Sequence, residues 1–274
     1  MGLCRMAVKP GVPPAEIRFG ELGYAREART SYQDFLAARK NGQLLPATRF
    51  QVCLPTPAAV IGAFVVPQDI GKVLPAYEAA MLREVAVICE AIPHEYLAIQ
   101  WDVCIEMIQW DGRAELMPAF PAMEQVFAGS FARLSGAIPP DVELGFHLCY
   151  GDMDAKHFVE PLDLGKAVSL ANLIVASAGR RVNWIHMPVP ANRDDAAYFA
   201  PLKELKLSGA ELYLGLVHGT DGAQGTIRRM QAARAVMSDF GIATECGIGR
   251  ARTPELAREI MQVHADAAQQ ETMA

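Results

Sequence analysis

Apolar residues along this chain come in two rhythms. Short apolar runs closed by polar residues, Gly or Pro occupy 50–57, 96–107, 142–151, 182–190, 211–219 and 242–249, and these predict strands. Between them, amphipathic stretches at 75–92, 122–135, 164–178, 194–207, 222–240 and 253–268 predict helices. The regular alternation is the βαβ rhythm of a parallel sheet. Cap chemistry agrees: Asp194-Asp195 opens one helix, and Thr253-Pro254-Glu255 opens the last. The stretch 106–122 lacks a clear period and is expected to be a long loop. A seventh strand is expected at 17–23, followed by a helix at 27–41, while residues 1–16 are irregular. Together these elements predict an α/β fold, a (β/α)8 TIM-barrel-like arrangement lacking its first one or two βα units. A single domain over 1–274 is expected.

Composition narrows the function without deciding it. The chain has 274 residues, of which 51% are hydrophobic and 20% charged, with a net charge of −6, so no clustered basic surface for nucleic acid is expected. The basic pairs Arg180-Arg181 and Arg228-Arg229 read as solvated positions. No apolar run suits a membrane span, and no secretion signal is visible at the start, so a cytoplasmic address is expected. Six cysteines without a paired framework then read as reduced thiols. Cys4, Cys53, Cys89 and Cys104 are expected to be core or surface bystanders. Trp101, Trp110 and Trp184 are read as core or pocket-wall residues.

Candidate chemistry collects where the predicted strands end, which is the functional face of a parallel barrel. Asp102 closes Ile-Gln-Trp-Asp, His147 and Cys149 lie in Phe-His-Leu-Cys-Tyr, and His186 lies in Trp-Ile-His-Met-Pro. His218 follows Gly-Leu-Val, and Cys246 follows Thr-Glu. His147 and Cys149 are two apart on a strand, so their side chains share a face and can reach one ion. Imidazole and thiolate together suit zinc. Cys246 precedes Gly247 and Gly249, where a bending backbone would turn its sulfur inward. Lys156-His157 reads as a solvated loop after the metal strand.

These segments also carry a resemblance. His147-Leu148-Cys149-Tyr150-Gly151-Asp152, Ile99-Gln100-Trp101-Asp102, Val217-His218-Gly219 and Glu245-Cys246-Gly247 resemble, in order and approximate spacing, the catalytic barrel of cobalamin-independent methionine synthases. The similarity runs from about residue 50 to the C-terminus. It implies a zinc ion held by His147, Cys149 and Cys246, with His186 or water where that family has a glutamate. It further implies that His218 protonates the methyl donor and that Asp102 binds the acceptor's amino group. Three departures stand beside it. Asp102 is followed by Val103-Cys104 rather than Glu-Pro, the first barrel strand with its carboxylate-binding loop has no counterpart, and an early acceptor-binding Glu is missing.

The expected function is therefore a zinc-dependent, methyltransferase-like enzyme that activates a thiol on a small-molecule substrate, other than methionine synthesis itself. Two alternatives stay open: a zinc hydrolase or lyase on a small anionic substrate, and a non-catalytic barrel serving as a subunit or binding module. A homo-oligomer that covers the open barrel edge is the partner expected from the missing units.

Overall fold

The computed structural model describes residues 4–115, 117–151, 156–248 and 253–272. All six expected strands form, each trimmed by a few residues: β1 (Phe50–Pro55), β2 (Leu97–Val103), β3 (Glu143–Leu148), β4 (Trp184–Pro188), β5 (Glu211–Val217) and β6 (Gly241–Thr244). Every neighbouring pair is parallel, and the sheet order is β1-β2-β3-β4-β5-β6. A doubly wound sheet would reverse direction at a switch point; an order that only advances is the winding of a barrel. No pairing joins β6 to β1 among the described residues, so the sheet has two edges and barrel closure is not seen.

Helices α1 (Tyr24–Lys40), α2 (Pro57–Phe64), α3 (Ile70–Ala91), α4 (Ile105–Asp111), α5 (Met123–Gly136), α6 (Gly165–Ser177), α7 (Ala196–Phe199), α8 (Gly222–Arg234) and α9 (Pro254–Thr272) connect or flank the strands. The core lies between these helices and one face of the sheet. In β2, Leu97, Ile99, Trp101 and Val103 point into it and are fully buried, while the intervening Gln100 and Asp102 point to the other face. Phe131 of α5 meets Phe146 of β3 edge to face, with ring centroids 5.9 Å apart. Such a contact adds about 0.5–1.5 kcal/mol beyond the area it buries.

Four expectations are corrected. Residues 17–23 form no strand, because a side chain takes the backbone donors beside them: the buried Glu84 carboxylate accepts from Leu22 N (2.8 Å) and Ala25 N (2.7 Å). The region 106–122 contains α4, which ends at Gly112 in a left-handed conformation (φ 80°) suited to glycine. The helix expected at 194–207 breaks after α7 into a 3-10 turn (Ala200–Glu204), since Pro201 has no N–H to continue an α-helical ladder. The apolar run at 50–57 ends early because Thr56 caps α2, accepting from Ala59 N at 3.1 Å with Pro57 in the first turn. Replacing Glu84 with alanine strips the buried Ala25 N–H and the part-buried Leu22 N–H of their acceptor. We expect a loss of about 1–3 kcal/mol, read as a lower urea midpoint.

The sheet's other face is concave. Residues from all six strands line one cavity of about 720 Å³ on that side. Its lining is about half polar, with Arg49, Gln51, Gln100, Glu143 and Asn183 among the contributors, where a complete barrel would carry packed apolar layers. The candidate residues sit at the carboxyl end of this face.

Candidate metal centre

Strand geometry brings three of the expected ligands together. Ligand atoms of His147, Cys149 and Cys246 all lie within 4.8 Å of one another. Cys149 Sγ and Cys246 Sγ are 3.6 Å apart. Two thiolates on a tetrahedral zinc, each at about 2.3 Å, stand roughly 3.8 Å apart, so the observed spacing suits one ion. His147 is buried; its Nδ1 lies 2.9 Å from His186 Nδ1, and its Nε2 is buried with no hydrogen-bond partner. A buried, unpartnered nitrogen beside two thiols is the arrangement a metal would satisfy. Cys149 comes from just past β3 and Cys246 from just past β6. The bulge between β5 and β6 at Leu214/Val217 alters the pairing of that last strand just before the turn that carries Cys246. Of the two glycines expected to turn that sulfur inward, Gly249 lies outside the described residues, as does Asp152.

Protonation states follow from burial. Burial first, then the neighbouring His186 ring, holds His147 well below the usual imidazole pKa. Burial likewise pushes His186 down to about 4. Both rings are neutral near pH 7, the state required of a metal-binding imidazole. Cys149 is pushed well above the usual thiol value, first by its hydrogen bond with Cys104 and then by burial, against lowering contacts from Cys246 and the Gly151 N–H. A metal bound there displaces that proton, so its affinity is expected to be pH-dependent.

The remaining expected residues take different places. His186 is paired with His147 across β3 and β4 and stands beside its ring, with centroids 4.5 Å apart, rather than within the three-residue cluster. Asp102 opens onto the cavity, and its Oδ1 accepts from Gln100 Nε2 at 2.9 Å. His218 uses Nε2 to donate to the Val189 carbonyl at 2.7 Å, and its Nδ1 lies 3.7 Å from Glu245 Oε2. Burial lowers the His218 pKa, with Glu245 opposing.

Three residues in this region lie outside the expectations. Cys104, read as a bystander, meets the Cys149 thiol. Glu245, next to Cys246, bridges two histidines: Oε1 is 3.1 Å from His157 Nε2, and Oε2 faces His218. His157 was expected in a solvated loop, yet its side chain is only 9% exposed and its Nδ1 also meets Glu160 at 3.2 Å. Two carboxylates around one imidazole explain the correction. The signal was the Glu245-Cys246 dipeptide, whose carboxylate had no assigned role.

Burial works against charge on His157, but Glu245 and Glu160 outweigh it and raise its pKa to about 9. A raised folded-state pKa contributes stability that is fully present below about pH 6.5 and lost as pH rises through 9. Thermal midpoints measured from pH 6 to 10 are therefore expected to fall across pH 6.5–9. His157→Gln removes that part of the fall, so equal profiles for the two proteins would refute the assignment.

Comparison with known proteins extends to fold. The chain is similar to a B12-independent methionine synthase from Shewanella sp. W3-18-1, solved in complex with selenomethionine, at 15% identity and a TM-score of 0.61. It covers 94% of this chain and 69% of that one. A Listeria monocytogenes protein assigned as a vitamin-B12-independent methionine synthase is similar at 15% identity and a TM-score of 0.51, over 79% of this chain and 63% of that one. The chain thus spans about two thirds of each solved relative. No family model and no curated protein sequence matches it. The family resemblance seen in the sequence is met by the solved structures that share this fold. No helix among the described residues is long and apolar enough to cross a membrane.

Proposed function

We propose that this protein is a zinc-dependent transferase of the methionine-synthase-like type that activates a thiol acceptor. The observation that carries the reading is the convergence of His147, Cys149 and Cys246, with a sulfur spacing suited to one zinc ion. Zinc held by these three residues would supply a Lewis acid that lowers the pKa of an acceptor thiol, and a set of three protein ligands would leave a position for it.

The chain's own residues supply the rest. His186 holds the His147 ring by its Nδ1 contact, the role usually taken by groups behind a metal ligand, and is proposed as a positioning residue in place of a fourth ligand. Asp102, oriented by Gln100, binds a cationic group of the acceptor through a charge-assisted hydrogen bond. His218 is the proposed proton donor to the departing group. Its Nε2–H is engaged by a carbonyl, so the transferable proton would be the second one, taken up on Nδ1 as the ring becomes an imidazolium; burial opposes that charge and the facing Glu245 favours it.

The open position equally suits activation of water, which is the second reading: a hydrolase or lyase. Cobalt in place of zinc separates the two. On adding homocysteine or 2-mercaptoethanol, a thiol-activating site is expected to gain thiolate-to-cobalt absorption in the near ultraviolet. A spectrum indifferent to both thiols, but titrating with pH as bound water ionises, would overturn the transferase reading in favour of the hydrolytic one.

A further inference from the structure

Below the metal cluster, the concave face carries two aromatic rings laid flat by glycines. Trp184 of β4 is paired with Gly145 of β3, and a Cβ on Gly145 would stand 1.8 Å from the indole. Tyr213 of β5 is paired with Gly241 of β6, and a Cβ there would stand 2.4 Å from the phenol ring. Each ring therefore rests on the bare backbone of the neighbouring strand, Trp184 leaning toward β3 and Tyr213 toward β6. Both line the cavity and are partly exposed, so their upper faces pave its floor.

The rings are also fixed at their polar edges. Trp184 Nε1 donates to Gln100 Oε1 at 3.1 Å, and Tyr213 Oη donates to Glu211 Oε2 at 2.9 Å. A side chain locked below and at its edge loses little freedom when a ligand stacks on it, which favours binding. The volume, about 720 Å³, is that of a small-molecule site. Gln100 links the floor to the reactive end, since the same amide donates to Asp102. Trp184 is two residues from His186, roughly 7 Å along the strand.

We propose that this face is a binding site for a planar aromatic or heteroaromatic group, stacked on Trp184 and Tyr213. The group belongs to a substrate whose other end reaches Asp102 and the cysteines. The stacking site stands without the metal; only its connection to a substrate rests on the proposed function. The two flat rings, each anchored at its polar edge, favour a small planar molecule over an added strand from another chain.

The test uses 2-naphthol against its saturated analogue decahydro-2-naphthol, titrated by ligand-observed NMR on the full chain. We expect saturable naphthol binding and at least fivefold weaker binding of the saturated compound. Trp184→Leu should weaken naphthol at least fivefold, and Trp184→Phe should restore it to within twofold. Circular dichroism checks folding, and Tyr213→Leu gives an independent loss should Trp184→Leu not fold. Cys149→Ala is expected to bind naphthol as the wild type does, so failure of the metal centre and failure of the ring site are told apart. Absence of saturable binding, equal affinity for both probes, or indifference to replacement of the aromatic rings would overturn the proposal.

Discussion

Replacing Arg229 with methionine is expected to destabilise the protein by about 3 kcal/mol, the low end of what removing one partner of a buried ion pair costs. The guanidinium is fully buried. It donates to the Leu216 carbonyl at 2.9 Å, to the Ala191 carbonyl at 2.6 Å, and through Nη1 and Nη2 to Asp221 at 2.7 and 2.9 Å. It thus ties the segments after β4 and β5 to α8. Those segments contain Val189 and His218, whose hydrogen bond fixes the proposed proton donor. Methionine fills much of the volume but strands two carbonyls and a carboxylate. Asp221 remains 27% exposed and regains some hydration, hence the lower figure. The thermal midpoint should drop by roughly 6–12 °C. A drop below about 2 °C would show that Arg229 is not the staple described.

The second large effect is on metal binding. Cys149→Ala and Cys246→Ala each remove one of two thiolates, and zinc affinity is expected to fall by more than about 100-fold in either. That bound exceeds the 10–100-fold that loss of a group behind a ligand usually costs. His186→Phe belongs to that milder class: it keeps a flat ring beside His147 but removes the nitrogen partner, and a loss of about 10–100-fold is expected. Competition titration with a zinc chelator measures all three. If His186→Phe weakens binding as much as the cysteine variants, His186 is a ligand and not a positioning residue. If either cysteine variant binds zinc with wild-type affinity, that thiol is outside the site.

The strands were legible because β2 and β3 alternate or run apolar against a buried helix layer, and all six appeared where expected. Ends were less legible. Thr253-Pro254 was read as a helix start, and Thr253 Oγ1 does accept from Leu256 N at 3.2 Å. The same Thr-Pro pair at Thr56-Pro57 was absorbed into an apolar run, since α2 is apolar all along and shows no contrast of faces. Among the site residues, i and i+2 spacing gave the His147 and Cys149 pair. Contacts between the segments that follow different strands were not readable: Glu245 after β6 reaching His157, and Cys104 after β2 meeting Cys149 after β3. Arg229 was misread as solvated because its partners are two carbonyls and one carboxylate from three segments, a set that leaves no mark in local composition. Arg180 is half-buried and differs from a purely solvated residue in holding the carbonyls of Ile138, Pro139 and Val142, all from one segment.

The most direct measurement of the central claim is zinc K-edge X-ray absorption on the wild-type protein, prepared with zinc and reductant and freed of excess metal. A centre built from His147, Cys149 and Cys246 predicts one zinc per chain with two sulfur neighbours at about 2.3 Å and a nitrogen at about 2.0 Å, the fourth neighbour being a light atom. Loss of the metal on removing excess, or a shell of nitrogen and oxygen alone, would contradict it.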